Sequence, residues 1–345
     1  MAAREVTPDP RCDELAAWLR AVPGLPPFTL APASADASFR RYFRLSLAFP
    51  SAGGAATLIA MDAPPPMENC RPFVHVAGLL HEARVHAPAI HAQDIERGFL
   101  LLEDLGDTTY LTALRTGDAH ALYLDAIDAL VRFQAISRDG ELAPYDRALL
   151  RRELDLFPEW YVARHVGHAL SPKQREALDG VFATILANNL SQPRVFVHRD
   201  YHSRNLMVVA NGDPGVIDFQ DAVYGPVTYD LASLLRDAYI EWDEERQIDW
   251  AVRYWERARA AGIPVGGDFG AFWRDFEWMG VQRQVKVLGI FARLAHRDGK
   301  TAYIGDMPLV MRYLRAACGR YRELVPLLVL LDALEGREPT VGYTF

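Results

Sequence analysis

The sequence predicts a two-lobed α+β fold, with a small antiparallel β-rich N-terminal lobe over residues 1–106 and a larger, mainly helical C-terminal lobe over 107–345. Two observations carry this reading. Alternating or apolar runs of strand length crowd into the first hundred residues, and helix-period segments fill almost everything after Thr108. A third observation is an exception within the helices: VFVHRDYHSRNLMVVANGDPGVIDFQ sets two short apolar runs about an Asn-Gly turn and reads as a hairpin.

Taken in order, residues 13–21 form a short amphipathic helix followed by a Pro-rich connector. SFRRYFRLSLAF then alternates bulky and polar residues, ATLIAMDAP follows as an apolar strand, and the two make a hairpin ended by Pro64, Pro65 and Pro66. Residues 71–86 carry a helical pattern that stops before Pro88, and GFLLLEDLGD gives another strand ending at Gly106. In the second lobe, helices are expected over 119–133, 147–168, 171–189, 229–242, 250–261, 269–295 and 309–334. The last is broken near Pro326, and Ser171 with Gln174 gives the third a capping box.

A chain of 345 residues with 50% hydrophobic residues buries a sizeable core, and its formal net charge of -8 argues against nucleic acid as a partner. Cys12, Cys70 and Cys318 are odd in number and far apart, which suggests neither disulfides nor a zinc site. The N-terminus is too polar for a signal peptide, and no stretch approaches the roughly 18 apolar residues of a membrane span. The expectation is a soluble, cytoplasmic protein with no membrane partner, monomeric by default.

Chemistry concentrates in the hairpin. His198-Arg199-Asp200 is followed after four residues by Asn205, and Asp218 lies in the next strand segment, Ile217-Asp218-Phe219-Gln220. Phosphoryl transfer to a hydroxyl asks for these groups: a carboxylate to orient the hydroxyl and take its proton, with an amide oxygen and a second carboxylate to hold Mg²⁺ on the phosphates. H-R-D-x-x-x-x-N followed by a D-F pair supplies them in the required order, and flanking strands would hold them rigidly. Asp and Asn are also common turn formers, so the second acidic residue and the strand context carry the reading.

Here the chain resembles the aminoglycoside phosphotransferase and choline kinase-like family, which shares the protein kinase fold, over nearly its whole length. ASADASFRRYFRL, MDAPPPMENCRPF, GFLLLEDLG, ALLRRELDLFPEWYV, VHRDYHSRNLM and GVIDFQDAVYGPVTYDLASLL resemble, more closely, the cell-wall sugar kinases that phosphorylate the anomeric hydroxyl of N-acetylmuramate and N-acetylglucosamine. The resemblance implies ATP and Mg²⁺ as cofactors, a small amino sugar as acceptor and a place in peptidoglycan recycling. It makes Asp200 the catalytic base, Asn205 and Asp218 the Mg²⁺ ligands, and the hinge through Leu102, Glu103 and Leu105 the adenine contact.

The chain departs from protein kinases in lacking a lysine in Leu58-Ile59-Ala60-Met61-Asp62, so another cation is needed for the phosphates; Arg40, Arg41 and Arg44 of the first hairpin are the candidates. Ser34 and Ser38, in a loop without G-x-G-x-x-G, are candidate phosphate contacts. Glu68 or Glu82 as an ion-pair partner and Asp230 as a support of the catalytic loop compete with plain capping roles. For the acceptor, Glu159, Trp160, Tyr161 and Arg164, His202 in the loop, and Trp278 and Arg283 on a later helix are candidates, because aromatic rings stack on sugars and arginines bind carboxylates. Aromatics at helical spacing are also common in cores.

Two motifs fail on spacing: Gly299-Lys300-Thr301 lacks the first Walker A glycine, and the histidines of HEARVH are five apart, about 140° around a helix. The alternatives to the sugar kinase are a kinase for an aminoglycoside, choline or another sugar, and a nucleotide-binding pseudokinase.

Overall fold

The computed structural model describes residues 9–35, 39–210 and 212–337. Helix α1 (Pro10–Arg20) starts on Asp9, whose carboxylate accepts the Cys12 N–H, and precedes a sheet of order β1-β2-β3-β5-β4. Its strands are β1 (Phe28–Ala35), β2 (Arg41–Leu47), β3 (Thr57–Asp62), β4 (Ile90–Asp94) and β5 (Phe99–Glu103), all neighbours antiparallel. The expected hairpin is β2 with β3, Phe43 opposite Ala60.

The two edge strands lie where the sequence signal is weak. β1 contains Pro32, which is tolerated at an edge, and the connector reading missed it; β4 is half-exposed throughout and short of branched residues.

Alternation gives the sheet two faces. Phe43, Leu45, Leu58, Ala60, Phe99 and Leu101 bury against Leu15, Trp18 and Leu19 of α1, the Trp18 ring lying 5.6 Å from Phe99. Met61, Leu100 and Leu102 join the main core on the opposite face, together with Phe73, Val76 and Leu80 of α2 (Arg71–Glu82).

After the hinge come α3 (Tyr110–Ala113), α4 (Ala119–Ala135) and α5 (Arg147–Leu156), the latter two capped by Asp118 and Asp146. α5 runs into a π-helical stretch, Phe157–Val166, which ends at Gly167 with φ +75°. α6 (Pro172–Ser191) has the expected capping box, Ser171 and Gln174 satisfying each other's backbone N–H.

Next stand two small ladders: β6 (Arg194–Val197) pairs with β9 (Val223–Pro226), and β7 (Leu206–Met207) with β8 (Gly215–Val216). The turn between β7 and β8 includes Gly212 at φ +82°, while Asn211 lies outside the described residues.

α7 (Tyr229–Leu235) is half the length expected. The Asp237 carboxylate takes the N–H groups of Tyr239 and Ser203, so the backbone there serves the loop beside it and the helix stops. α8 (Glu244–Ala260) starts on Asp243, and α9 (Phe269–Asp298), 30 residues and about 45 Å long, is the spine of the lobe. α10 (Met307–Arg320) and α11 (Val325–Glu335) are separated by a 3₁₀ turn just before Pro326, where the break was expected. Among the described residues no helix is long and apolar enough to cross a membrane.

Candidate active site

The loop between β6 and β7 is held from below by Asp230 in the first turn of α7. Fully buried, its carboxylate accepts the N–H of His198 at 2.6 Å and of Arg199 at 3.0 Å, which fixes Arg199 at φ +79°. Burial pushes this carboxyl up to about 6, against the pull of His198 and the two N–H groups. Of the two readings of Asp230, a bond back to the loop at His198 and Arg199 is the observed one. The His198 ring closes the loop from the other side, its Nε2 3.0 Å from the Ile217 carbonyl oxygen.

Asp200, Asn205 and Asp218 come together as the motif implies. Asn205 Nδ2 donates to the Asp200 carbonyl at 3.0 Å and to Asp218 Oδ2 at 3.2 Å, and Gln220 Nε2 donates to Asp218 Oδ1 at 2.8 Å. Asp218 holds φ +62°, a left-handed position that Asp tolerates better than most residues. The next residue, Phe219, buries its ring 4.6 Å from Phe73 of α2, tying the segment to the N-terminal lobe. Mg²⁺ fits this donor set, because it is commonly bound by one or two protein oxygens and completed by phosphates and water. The described residues contain no group of three or more His, Cys, Asp or Glu that would hold a metal alone.

Behind Asp200 stands a buried charge cluster that was not foreseen as a unit. Glu153 of α5, 5% exposed, receives Arg199 at 2.6 Å, Lys286 of α9 at 3.4 Å and the Tyr145 hydroxyl, and Lys286 also donates to the Tyr229 hydroxyl at 2.9 Å. Burial alone would push the Asp200 carboxyl up; Lys286 foremost, with Arg283 and Arg199, more than offsets it and holds it below the usual range. Asp200 is therefore an ionised acceptor, suited to orienting a hydroxyl. The sequence signal was an acid among Leu150, Leu154 and Phe157 and a lysine between Val285 and Leu288, charges on apolar helix faces.

A cleft of about 470 Å³ opens in front of Asp218, a size suited to a small ligand. It is lined by Tyr42, Arg44 and Ile59 from the sheet, by the hinge residues Leu102, Glu103 and Leu105, and by Arg204, Asn205 and Asp218. The Glu103 carboxylate is turned to the Ala89 N–H and His86, and the Glu103 N–H donates to the Ala89 carbonyl. Arg44 reaches the cleft already paired with Asp104 at 2.7 Å and Asp107 at 2.6 Å. Arg40 lies 3.7 Å from Glu68, whereas Glu82 pairs with Arg138.

Arg41 corrects the expectation. It shares the α1 face with Phe43, and its guanidinium is bound to Asp9 and to the fully buried Asp62, away from the cleft. Alternation along β2 forces this: if Arg44 faces the cleft, Arg41 cannot. Ser34 sits in β1 opposite Tyr42; Ser38 lies outside the described residues.

On the acceptor side the structure keeps some candidates and turns others away. Arg283 is buried beside the cluster on α9, and His202 lies 5.5 Å from the Tyr239 ring with its Nδ1 enclosed and unpartnered. Trp278 is a correction: it is 1% exposed, packed on Tyr321 and under Arg274, a core residue as its helical spacing allowed. Tyr161 stacks between Phe157 and His165 on the π-helical stretch, Trp160 packs on the core, and Glu159 and Arg164 are exposed; no described bond links these four to Asp200.

Arg204 was missed, a loop arginine whose guanidinium lies 3.8 Å over the Tyr239 ring and which lines the cleft. A larger groove of about 920 Å³ lies elsewhere, around Trp242 and Trp250, but its acids serve local roles: Asp118 and Asp243 cap helices and Asp249 pairs with Arg253.

The model of the phosphotransferase enzyme family matches residues 29–266. The chain is 53% identical, over 90% of its length and 90% of the relative's, to the N-acetylmuramate/N-acetylglucosamine kinase of Pseudomonas aeruginosa. It is 49% identical, over 95% of its length and 97% of the relative's, to the protein of that name from Pseudomonas putida. In fold it is similar to a choline/ethanolamine kinase family protein from Mesorhizobium loti, with a TM-score of 0.61 at 15% identity over 94% of this chain and 99% of that one.

Proposed function

The chain belongs to the phosphotransferase enzyme family, and from that premise we propose that it transfers the γ-phosphoryl group of ATP to the anomeric hydroxyl of N-acetylmuramate and N-acetylglucosamine. The sugar 1-phosphate so formed would return recovered wall sugars to nucleotide-sugar synthesis in the cytoplasm. The observation that carries the reading is the convergence of Asp200, Asn205 and Asp218, the latter two lining one end of a cleft bounded by the hinge. Relatives about half identical over nearly the whole chain, named as N-acetylmuramate/N-acetylglucosamine kinases, suggest the acceptor.

In this reading adenine lies against the hinge backbone at 102–105, and the phosphates run toward Asp218. Asn205 and Asp218 would hold Mg²⁺, which would supply charge neutralisation on the phosphate oxygens. Asp200 accepts a hydrogen bond from the acceptor hydroxyl and points its oxygen at the γ-phosphorus. Held ionised by its cationic neighbours, the carboxylate orients the hydroxyl and takes up its proton. The positive charge that the third strand lacks comes from Arg204, pre-positioned on Tyr239, with Arg44 at the cleft's upper edge.

A ³¹P NMR assay with Mg·ATP tests the proposal, offering N-acetylmuramate, N-acetylglucosamine, an aminoglycoside and choline in parallel. A new resonance coupled to an anomeric proton with the two sugars is expected. A phosphorylated aminoglycoside or choline, with both sugars untouched, would overturn the acceptor assignment.

A further inference from the structure

We propose that Arg283 is the receptor for a carboxylate on the acceptor, so that the site is built around an acidic amino sugar and takes the neutral one as its truncated form. The inference rests on the reading given under Proposed function and names the residue that would tell its two acceptors apart.

One buried charge is unmatched. Arg283 is 4% exposed, yet no described residue hydrogen-bonds or ion-pairs with its guanidinium, and its Nε is enclosed without an acceptor. Leaving a buried cation unpaired is costly, and the other buried cations packed with α9 avoid it. Arg236 is matched by Glu277 at 2.9 Å, and Lys286 and Arg199 share Glu153. Of the acids around the loop, Glu153 is taken by Arg199 and Lys286, Asp230 by the His198 and Arg199 N–H groups, and Asp237 by Ser203 and Tyr239, so none is bonded to Arg283. The guanidinium without a partner marks a place for an anion.

Position identifies the owner of that anion. Arg283 lies one turn from Lys286 on α9, on the face turned to the catalytic loop, and the charged or ring groups that sense it are Asp200, His202, Tyr229 and Tyr239. It is absent from the lining of the nucleotide cleft, which ends at Arg204, Asn205 and Asp218. Arg283 thus acts on Asp200 from outside the nucleotide cleft, and that is where we place the acceptor. N-acetylmuramate differs from N-acetylglucosamine by an ether-linked lactyl group that ends in a carboxylate, and a guanidinium binds a carboxylate through two parallel N–H bonds. The enclosed Nδ1 of His202 and the Tyr239 ring beside it are suited to a sugar hydroxyl and a sugar face.

Steady-state kinetics of wild type, Arg283→Gln and Arg283→Lys with both sugars and with ATP varied tests this. For Arg283→Gln, kcat/KM for N-acetylmuramate should fall about 100-fold, mostly through KM, in keeping with the loss of a charged hydrogen-bonded contact. The fall for N-acetylglucosamine should be at least tenfold smaller than that for N-acetylmuramate, the KM for ATP should change by less than about threefold, and Arg283→Lys should fall between.

The wild-type enzyme gives an arm that needs no variant: the methyl ester of N-acetylmuramate should be about 100-fold poorer than the acid, and no poorer still with Arg283→Gln. Equal losses for both sugars, or an ester as good as the acid, would overturn the inference and assign the arginine to the transferred phosphate or to Asp200. A wild-type enzyme inert toward both sugars would instead overturn the functional reading on which it rests.

Discussion

Replacing Lys286 with methionine removes an ammonium that is bound to the Tyr229 hydroxyl at 2.9 Å and to Glu153 at 3.4 Å, all three side chains being almost fully buried. Breaking a buried ion pair from one side typically costs about 3–5 kcal/mol, because it strands the partner's charge. Glu153 keeps Arg199 at 2.6 Å and the Tyr145 hydroxyl, so the lower end applies and roughly 3 kcal/mol is expected for Lys286→Met. Glu153→Gln strands two cations, Arg199 and Lys286, and should cost about 4 kcal/mol.

In the double variant the uncompensated lysine is gone along with the acid. It should therefore be less destabilised than the sum of the singles by about 2 kcal/mol, a coupling in the range of contacting charges. Urea unfolding of the four proteins at pH 7, with m-values compared, gives the cycle directly. Additivity within about 0.5 kcal/mol would refute the claim that Glu153 and Lys286 act as one unit behind the catalytic loop.

Arg41→Ala should lower stability by roughly 1–2 kcal/mol through loss of the Asp9 and Asp62 contacts while leaving ATP affinity by calorimetry within about twofold; a large rise in Kd would return this arginine to the nucleotide site. Asp230 titrates at about 6 in the fold and near 3.9 unfolded, so between pH 4 and 6 the folded protein binds more protons and this group's contribution to stability declines as pH rises. The stability gap between wild type and Asp230→Asn should therefore narrow by about 2 kcal/mol from pH 4 to 6.5, and a constant gap would contradict the raised carboxyl. Gly289→Ala would place a Cβ 2.6 Å from Leu156, where α9 crosses the end of α5; a Tm lowered by several degrees in calorimetry is expected, and an unchanged Tm would deny the close approach.

The convergence of Asp200, Asn205 and Asp218, the proposed catalytic set, was legible because these residues stand at fixed spacing with apolar strands on both sides. The β2–β3 hairpin and the capped helices were legible for the same local reasons, Ser171 with Gln174 being the clearest. What the sequence concealed depends on which face a side chain takes once the sheet is assembled. Arg41 and Arg44 look equivalent in RRYFRL, but only Arg44 shares a face with Tyr42 and Ile59.

Trp278 and Arg283 are neighbours on one helix, yet one packs into the core and the other faces the loop, a difference set by rotation around α9. The Glu153 cluster joins residues 46, 57 and 133 positions apart along the chain, beyond the reach of any local pattern. The early end of α7 followed from a side-chain acceptor, Asp237, competing for backbone N–H groups that helix periodicity counts as its own.

The central claim is that Asp200 orients the acceptor hydroxyl for transfer from ATP. The most direct test is the single-turnover rate of N-acetylmuramate phosphorylation by wild type and Asp200→Asn, with ATP dissociation constants measured alongside. The rate should be lower by about 10³-fold for Asp200→Asn, with ATP binding changed by less than about threefold. A near-normal rate for Asp200→Asn would contradict it and require another group to orient the hydroxyl.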